Sequence, residues 1–67
     1  MRAWIFPVAL EPRSPTPLFA QIARAISDDV RRGRLRPDQS LPGTRSLART
    51  LAVHRSTVVA AYEELAA

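Results

Sequence analysis

The placement of proline limits this chain before any other feature does. Prolines stand at positions 7, 12, 15, 17, 37 and 42, and a proline inside a helix removes an amide donor and collides with the preceding turn. Four of them crowd the opening stretch MRAWIFPVALEPRSPTP, so residues 1–15 are predicted to be an extended arm rather than a helix. Trp4, Phe6, Val8 and Leu10 alternate along it as one face of a short extended segment would. Two aromatic rings on such an arm need an apolar surface to pack on, and that surface can lie outside this chain.

Helices are confined to the windows the prolines leave open. The first is predicted with Thr16 as its cap and Pro17 at the first helical position. Leu18, Ile22, Ile26 and Val30 then recur every four residues with Phe19 beside them, and Gly33 ends the helix. Arg24 and Asp28 stand i,i+4 on the wet side, a pairing worth about 0.3 kcal/mol. Because the apolar stripe covers one side only, this helix must pack on other helices rather than lie on a membrane. RLRPDQSLPG follows as a connector broken by Pro37 and Pro42, with Leu35 and Leu41 as core anchors.

A second, short helix fits Thr44 to Leu51, capped by Gly43 or Thr44, with Leu47, Ala48 and Leu51 inward. Ala52 and Val53 turn the chain, and a third helix runs from about Arg55 to the end with Val58, Ala61, Tyr62 and Leu65 on its inner face. Two short helices joined by so brief a turn are the sequence form of a helix-turn-helix. The expected fold class is therefore mainly α, a three-helix helix-turn-helix bundle. Small Ala48 lets the two helices cross closely, Val53 fills the corner and Val58 plugs the junction. Turns of this kind usually carry Gly where Ala52 stands, and a left-handed backbone there costs Ala on the order of 1 kcal/mol.

Composition excludes several chemistries. All ten basic side chains are Arg, Cys is absent and His54 is the sole histidine, which rules out a lysine Schiff base, a thiolate nucleophile and a zinc site of the usual kind. No carboxylate pair, His–nucleophile pair or Gly-rich phosphate loop appears, so an enzyme is not expected. No apolar run is long enough to span a bilayer and no signal peptide is recognised, so a cytoplasmic location is expected. The preference for Arg has two readings: codon usage in a GC-rich genome, and the superior bidentate pairing of guanidinium with phosphate and guanine. Distribution tells more than the total. Residues 31–55 hold seven Arg (31, 32, 34, 36, 45, 49, 55) against Asp38, a local +6, while three Arg (2, 13, 24) against five acids (11, 28, 29, 63, 64) leave −2 elsewhere, giving the formal +4. A basic middle of this kind fits a polyanion partner, although a solvated surface has the same composition.

LAVHRSTVVAAYEEL places a cationic, hydroxyl-bearing tetrapeptide on the first turn of the third helix. In a helix-turn-helix that turn enters the major groove. Arg55 can reach phosphate or guanine, Ser56 and Thr57 can donate to phosphate, and the free backbone N–H groups add attraction. Glu63 and Glu64, two turns further on, would be lifted away from a duplex. Arg45 and Arg49 on the preceding helix suit phosphate contact. Each has a plainer reading as well: His54 as a cap more than a base contact, Ser56 and Thr57 as ordinary first-turn residues, Arg45 and Arg49 as a solvated face. Arg31, Arg32, Arg34 and Arg36 read as general electrostatics, and Tyr62 as core.

From PLFAQIARAISDDVRRGRLRPDQSLPGTR through SLARTLAVHRSTVVAAYEELAA, about fifty of the 67 residues, the sequence resembles the winged helix-turn-helix domain of GntR-family transcriptional regulators. The VVAAYEEL stretch and the arm with Trp4 and Phe6 resemble the MocR subfamily in particular. The resemblance implies double-stranded DNA as partner, with contacts from Arg45, Arg55, Ser56 and Thr57. Other branches carry an Arg where Val59 stands, so that branch's further contact has no counterpart here, and Asp38 replaces a frequent Gly on a loop. The family's recognition helix leads into a two-stranded wing, and MocR proteins add a pyridoxal phosphate-binding, aminotransferase-like domain through which dimerisation is expected. The 67 residues stop before both, so the expectation is an arm (1–15) and a truncated winged helix-turn-helix (16–67) that holds no cofactor, as a fragment, a truncated gene product or an excised piece. A rival from another class is a protein-interaction remnant whose arm and uncovered core edge dock on another polypeptide.

Overall fold

The structure, a computed structural model, describes residues 4–7, 9–36 and 39–67. Three helices, α1 (Leu18–Arg31), α2 (Thr44–Leu51) and α3 (Arg55–Ala66), form an all-α bundle of 33 × 23 × 21 Å, with no strand among the described residues. α1 and α2 each pack against α3 and do not pack against each other. The place of Val8 in the expected apolar alternation, the break at Pro37 and the change at Asp38 lie outside the described residues.

α1 begins one position later than its proline suggests. Pro17 keeps an extended ψ of 149° and is itself the cap, its carbonyl accepting from the N–H groups of Ala20 and Gln21 at 3.0 and 3.1 Å. Thr16 lies outside the helix and makes no cap bond; its carbonyl instead receives the Gln21 amide at 2.8 Å. At the other end Gly33 adopts φ +80°, donating to Val30 while Arg34 donates to Asp29. This is the paired closing of a helix that a left-handed glycine makes possible. The expected Arg24–Asp28 pair is replaced by an Arg31–Asp28 ion pair. An acid placed ahead of its base suits the helix dipole better than the reverse order, which accounts for the change.

The stripe of α1 is buried as the periodicity requires. Ile22, Ala23 and Ile26 join Leu35, Leu47, Ala48, Val58 and Ala61 in one core, with Phe19, Val30, Leu41, Leu51, Val53, Tyr62 and Leu65 around it. Ile22, Val58 and Ala61 have no exposed surface at all.

The arm needs no outside partner to pack on. Trp4, Phe6 and Leu10 all rest against this core, the two rings meeting edge to face at 6.0 Å. Trp4 Nε1 donates to Asp29 Oδ2 at 2.7 Å, and Gln21 pairs with both backbone groups of Glu11 at 2.9 Å. Docking therefore recruits Asp29, an acid with a relative exposure of 2%, as its polar anchor. Ile5, between the two rings, faces outward with 81% exposure.

Candidate nucleic-acid interface

α2 and α3 are linked by Ala52, Val53 and His54, and the geometry of the turn begins with Ala52. It takes φ 57° and ψ 43°, the left-handed region, as the cap that ends α2. Its N–H donates to Arg49 and that of Val53 to Ala48, at 3.3 and 3.0 Å. A left-handed Ala is disfavoured by about 1 kcal/mol, so the turn is held against local preference by the packing of Ala48, Val53 and Val58.

His54 caps α3. Its Nδ1 stands 3.0 Å from Ser56 Oγ and accepts weakly from the Ser56 N–H at 3.5 Å, while its carbonyl takes the Thr57 N–H at 3.0 Å. Arg55 and Ser56 are exposed on the following turn, and Thr57 is half-buried. On α2, Arg45 and Arg49 are exposed one helical turn apart, with the Arg49 end leading into the turn. Of the six expected site residues five are thus exposed, and Thr57 is half-buried.

The charges at the starts of α2 and α3 and at the end of α3 run against the helix dipoles, while Arg49 in the last turn of α2 runs with its own. Neither α2 nor α3 has an acid in its first turn; Arg45 and Arg55 occupy those turns instead, while Glu63 and Glu64 stand near the end of α3. A helix start is electropositive and its end electronegative, so each such placement is unfavourable by about 0.3–1 kcal/mol before screening. Arg55 and Arg45 are thus poorly matched to the isolated domain and well matched to an anion brought to it.

One positioning bond was not foreseen from sequence. The Tyr62 hydroxyl donates to the Pro42 carbonyl at 2.6 Å, tying α3 to the residue just before Gly43, the cap of α2. Burial raises the Tyr62 pKa above the ordinary 10.0. The signal that could have found it is general: a tyrosine on a core face needs a partner for its hydroxyl. Among the described residues no cluster of His, Asp or Glu is arranged to hold a metal ion, and no helix is long and apolar enough to cross a membrane.

A left-handed corner between two short helices, with cations on both and the second helix packed across the core, defines a helix-turn-helix domain of the DNA-binding type. Residues 18–67 match the family described as bacterial regulatory proteins, gntR family. The chain belongs to that family. It is 45% identical over 60 residues to the HTH-type pyridoxine biosynthesis transcriptional regulator PdxR of Corynebacterium glutamicum, covering 90% of this chain and 13% of that protein. It is 34% identical over 58 residues to the HTH-type transcriptional repressor YtrA of Bacillus subtilis, covering 87% of this chain and 45% of the other. An HTH-type transcriptional regulator of Mycobacterium tuberculosis is 38% identical over 65 residues, 97% of this chain and 51% of that protein. The chain thus spans about half or less of these relatives' lengths. No solved structure gives a significant match.

Proposed function

We propose that this chain is the double-stranded-DNA-binding part of a bacterial transcriptional regulator of the MocR-like branch, a winged helix-turn-helix with the first turn of α3 in the major groove. The observation that carries the reading is the reversed charge order: guanidinium groups at the starts of α2 and α3, acids at the end of α3. Phosphates at those helix starts would be met by Arg45, Arg55, the Ser56 hydroxyl and, at α2, backbone N–H groups that no side chain caps. Arg49 adds a phosphate contact from the last turn of α2. Arg55, on the turn that enters the groove, has the fork for guanine as well as for phosphate. His54 serves first as cap, and its Nε2 has no partner among the described residues. Thr57, half-buried, is the weakest of the expected phosphate contacts.

Support for the MocR-like branch comes from the 45% identity to PdxR together with VVAAYEEL and the aromatic arm. On this reading the whole protein continues into a pyridoxal phosphate-binding domain that also dimerises it. The present residues do not fit that cofactor, since the chain has no Lys to receive it. Reading the coding sequence downstream of Ala67 tests this extension, and an unrelated reading frame would dismiss it. The rival role as a protein-interaction remnant loses its main support, because Trp4 and Phe6 are used within the domain.

The DNA reading is tested by titrating labelled duplex at several salt concentrations. Roughly four to six phosphate neighbours predict weak binding with a slope of log affinity on log salt near −0.9 per phosphate. Arg55→Ala should lower affinity about tenfold or more while far-UV circular dichroism is unchanged. Unaltered affinity in that variant would overturn the assignment of α3.

A further inference from the structure

We infer that the Trp4–Asp29 hydrogen bond is a positioning contact for the DNA-facing helices, which ties docking of the arm to the placement of α2. The inference rests on the DNA-binding reading above and adds to it a role for residues remote from the interface.

Asp29 works at two levels. Its carboxylate, 2% exposed, takes the Trp4 indole N–H at 2.7 Å. Its backbone carbonyl accepts from Arg34 and Leu35 at 3.0 and 3.2 Å. A carboxylate is buried at a penalty unless it is hydrogen-bonded, so without the indole Asp29 must admit water. The last turn of α1 would then shift, and with it the carbonyl that launches the connector. Leu35, 1% exposed, carries any such shift directly into the core it shares with Leu47 and Val58.

The connector's other end is pinned just as directly. Pro42 receives the Tyr62 hydroxyl at 2.6 Å, and the next residue, Gly43, caps α2. Arg45 follows two positions later. The segment that aims α2 is therefore fixed at one end by Asp29, which the arm secures, and at the other by α3 itself. Linkage is reciprocal: if a docked arm places α2 for DNA, bound DNA must tighten the arm.

Trp4 is the chain's only tryptophan, so its fluorescence reports on the arm without a label. With the full chain and a labelled random-sequence duplex at low salt, Trp4→Phe, which keeps an aromatic ring and removes the donor, should weaken binding on the order of threefold to tenfold. Its helical circular dichroism and its salt slope should match wild type, because the same phosphates are met. Asp29→Asn, which keeps an oxygen to accept the indole N–H, should stay within about twofold. Ile5→Ala, at an outward arm position, should bind as wild type does. In the unsubstituted chain, saturating duplex should lower acrylamide quenching of Trp4. A merely structural role for the bond would leave that quenching unmoved.

Wild-type affinity in Trp4→Phe, or quenching indifferent to saturating duplex, overturns the inference. Should Trp4→Phe fail to fold, the quenching measurement on the unsubstituted chain decides alone. Arg55→Ala measured alongside separates the two levels. If it weakens binding while Trp4→Phe does not, only the positioning role falls; if neither changes affinity, the DNA-facing assignment falls first and the positioning role with it.

Discussion

In the arm and α1, two polar pairings join residues ten or more positions apart; in α2 and α3 most polar side chains bond close by. Trp4 reaches Asp29 and Gln21 reaches Glu11, whereas Thr50 bonds back to Ser46 and His54 to Ser56. Only Tyr62, bonded to Pro42, gives the second region a distant link. The second region also contains the left-handed Ala52 and the helix starts occupied by Arg. Local rules are obeyed where the chain only has to be stable and broken where it faces outward, which is the usual distribution of strain around a functional surface.

The sharpest way to break that contrast is to damage the first region. Ile22→Ala empties a fully buried position and should cost about 2–5 kcal/mol. A domain this small has little stability in reserve, so thermal melting followed by circular dichroism should show a largely unfolded chain. A near-wild-type melting curve would mean that α1 is not where stability resides. Arg55→Ala should do the reverse, sparing the fold and removing DNA affinity.

Tyr62→Phe tests the one distant link of the second region. Losing the bond to Pro42 should destabilise by about 1 kcal/mol at neutral pH. The alkaline profile carries a second sign. Burial raises the folded-state pKa of Tyr62 above 10.0, so the unfolded chain gives up that proton first. The group's contribution is intact below pH 10 and is lost as pH rises through the folded value. Wild type should therefore weaken in that range, and Tyr62→Phe should show a flatter profile in denaturant titrations.

Ala52→Gly should relieve the left-handed cap and raise stability by about 0.5–1 kcal/mol, after allowance for the greater freedom of Gly in the unfolded chain. DNA affinity should not change, since Ala52 presents no polar group. The smallest expected effect belongs to the first region: Asp28→Asn removes the exposed pair with Arg31 and should shift stability by less than about 0.5 kcal/mol, and less at high salt.

Much of the second region could be read in advance, and less of the first. The bounds of α2 follow from Gly43 before it and a turn after it, and the outward placement of Arg45, Arg49, Arg55 and Ser56 follows from helical periodicity. Both signals are local, which is why they survive without a structure. The arm's landing place is not local. Alternation at Trp4 and Phe6 marks a face but not what the face meets, and Asp29, next to Asp28, reads as another wet acid until an indole 25 residues away is found against it. The start of α1 was displaced for a smaller reason: a proline suits both the cap and the first turn, and only its ψ separates the two.

Because α1 and α2 each lean on α3 and not on one another, the helix that offers Arg55 outward is also the keystone of the bundle. Its two neighbours are too short to persist alone in water. Melting should be all-or-none, and evolution can rewrite the outer positions of that one helix only while leaving its inner side untouched.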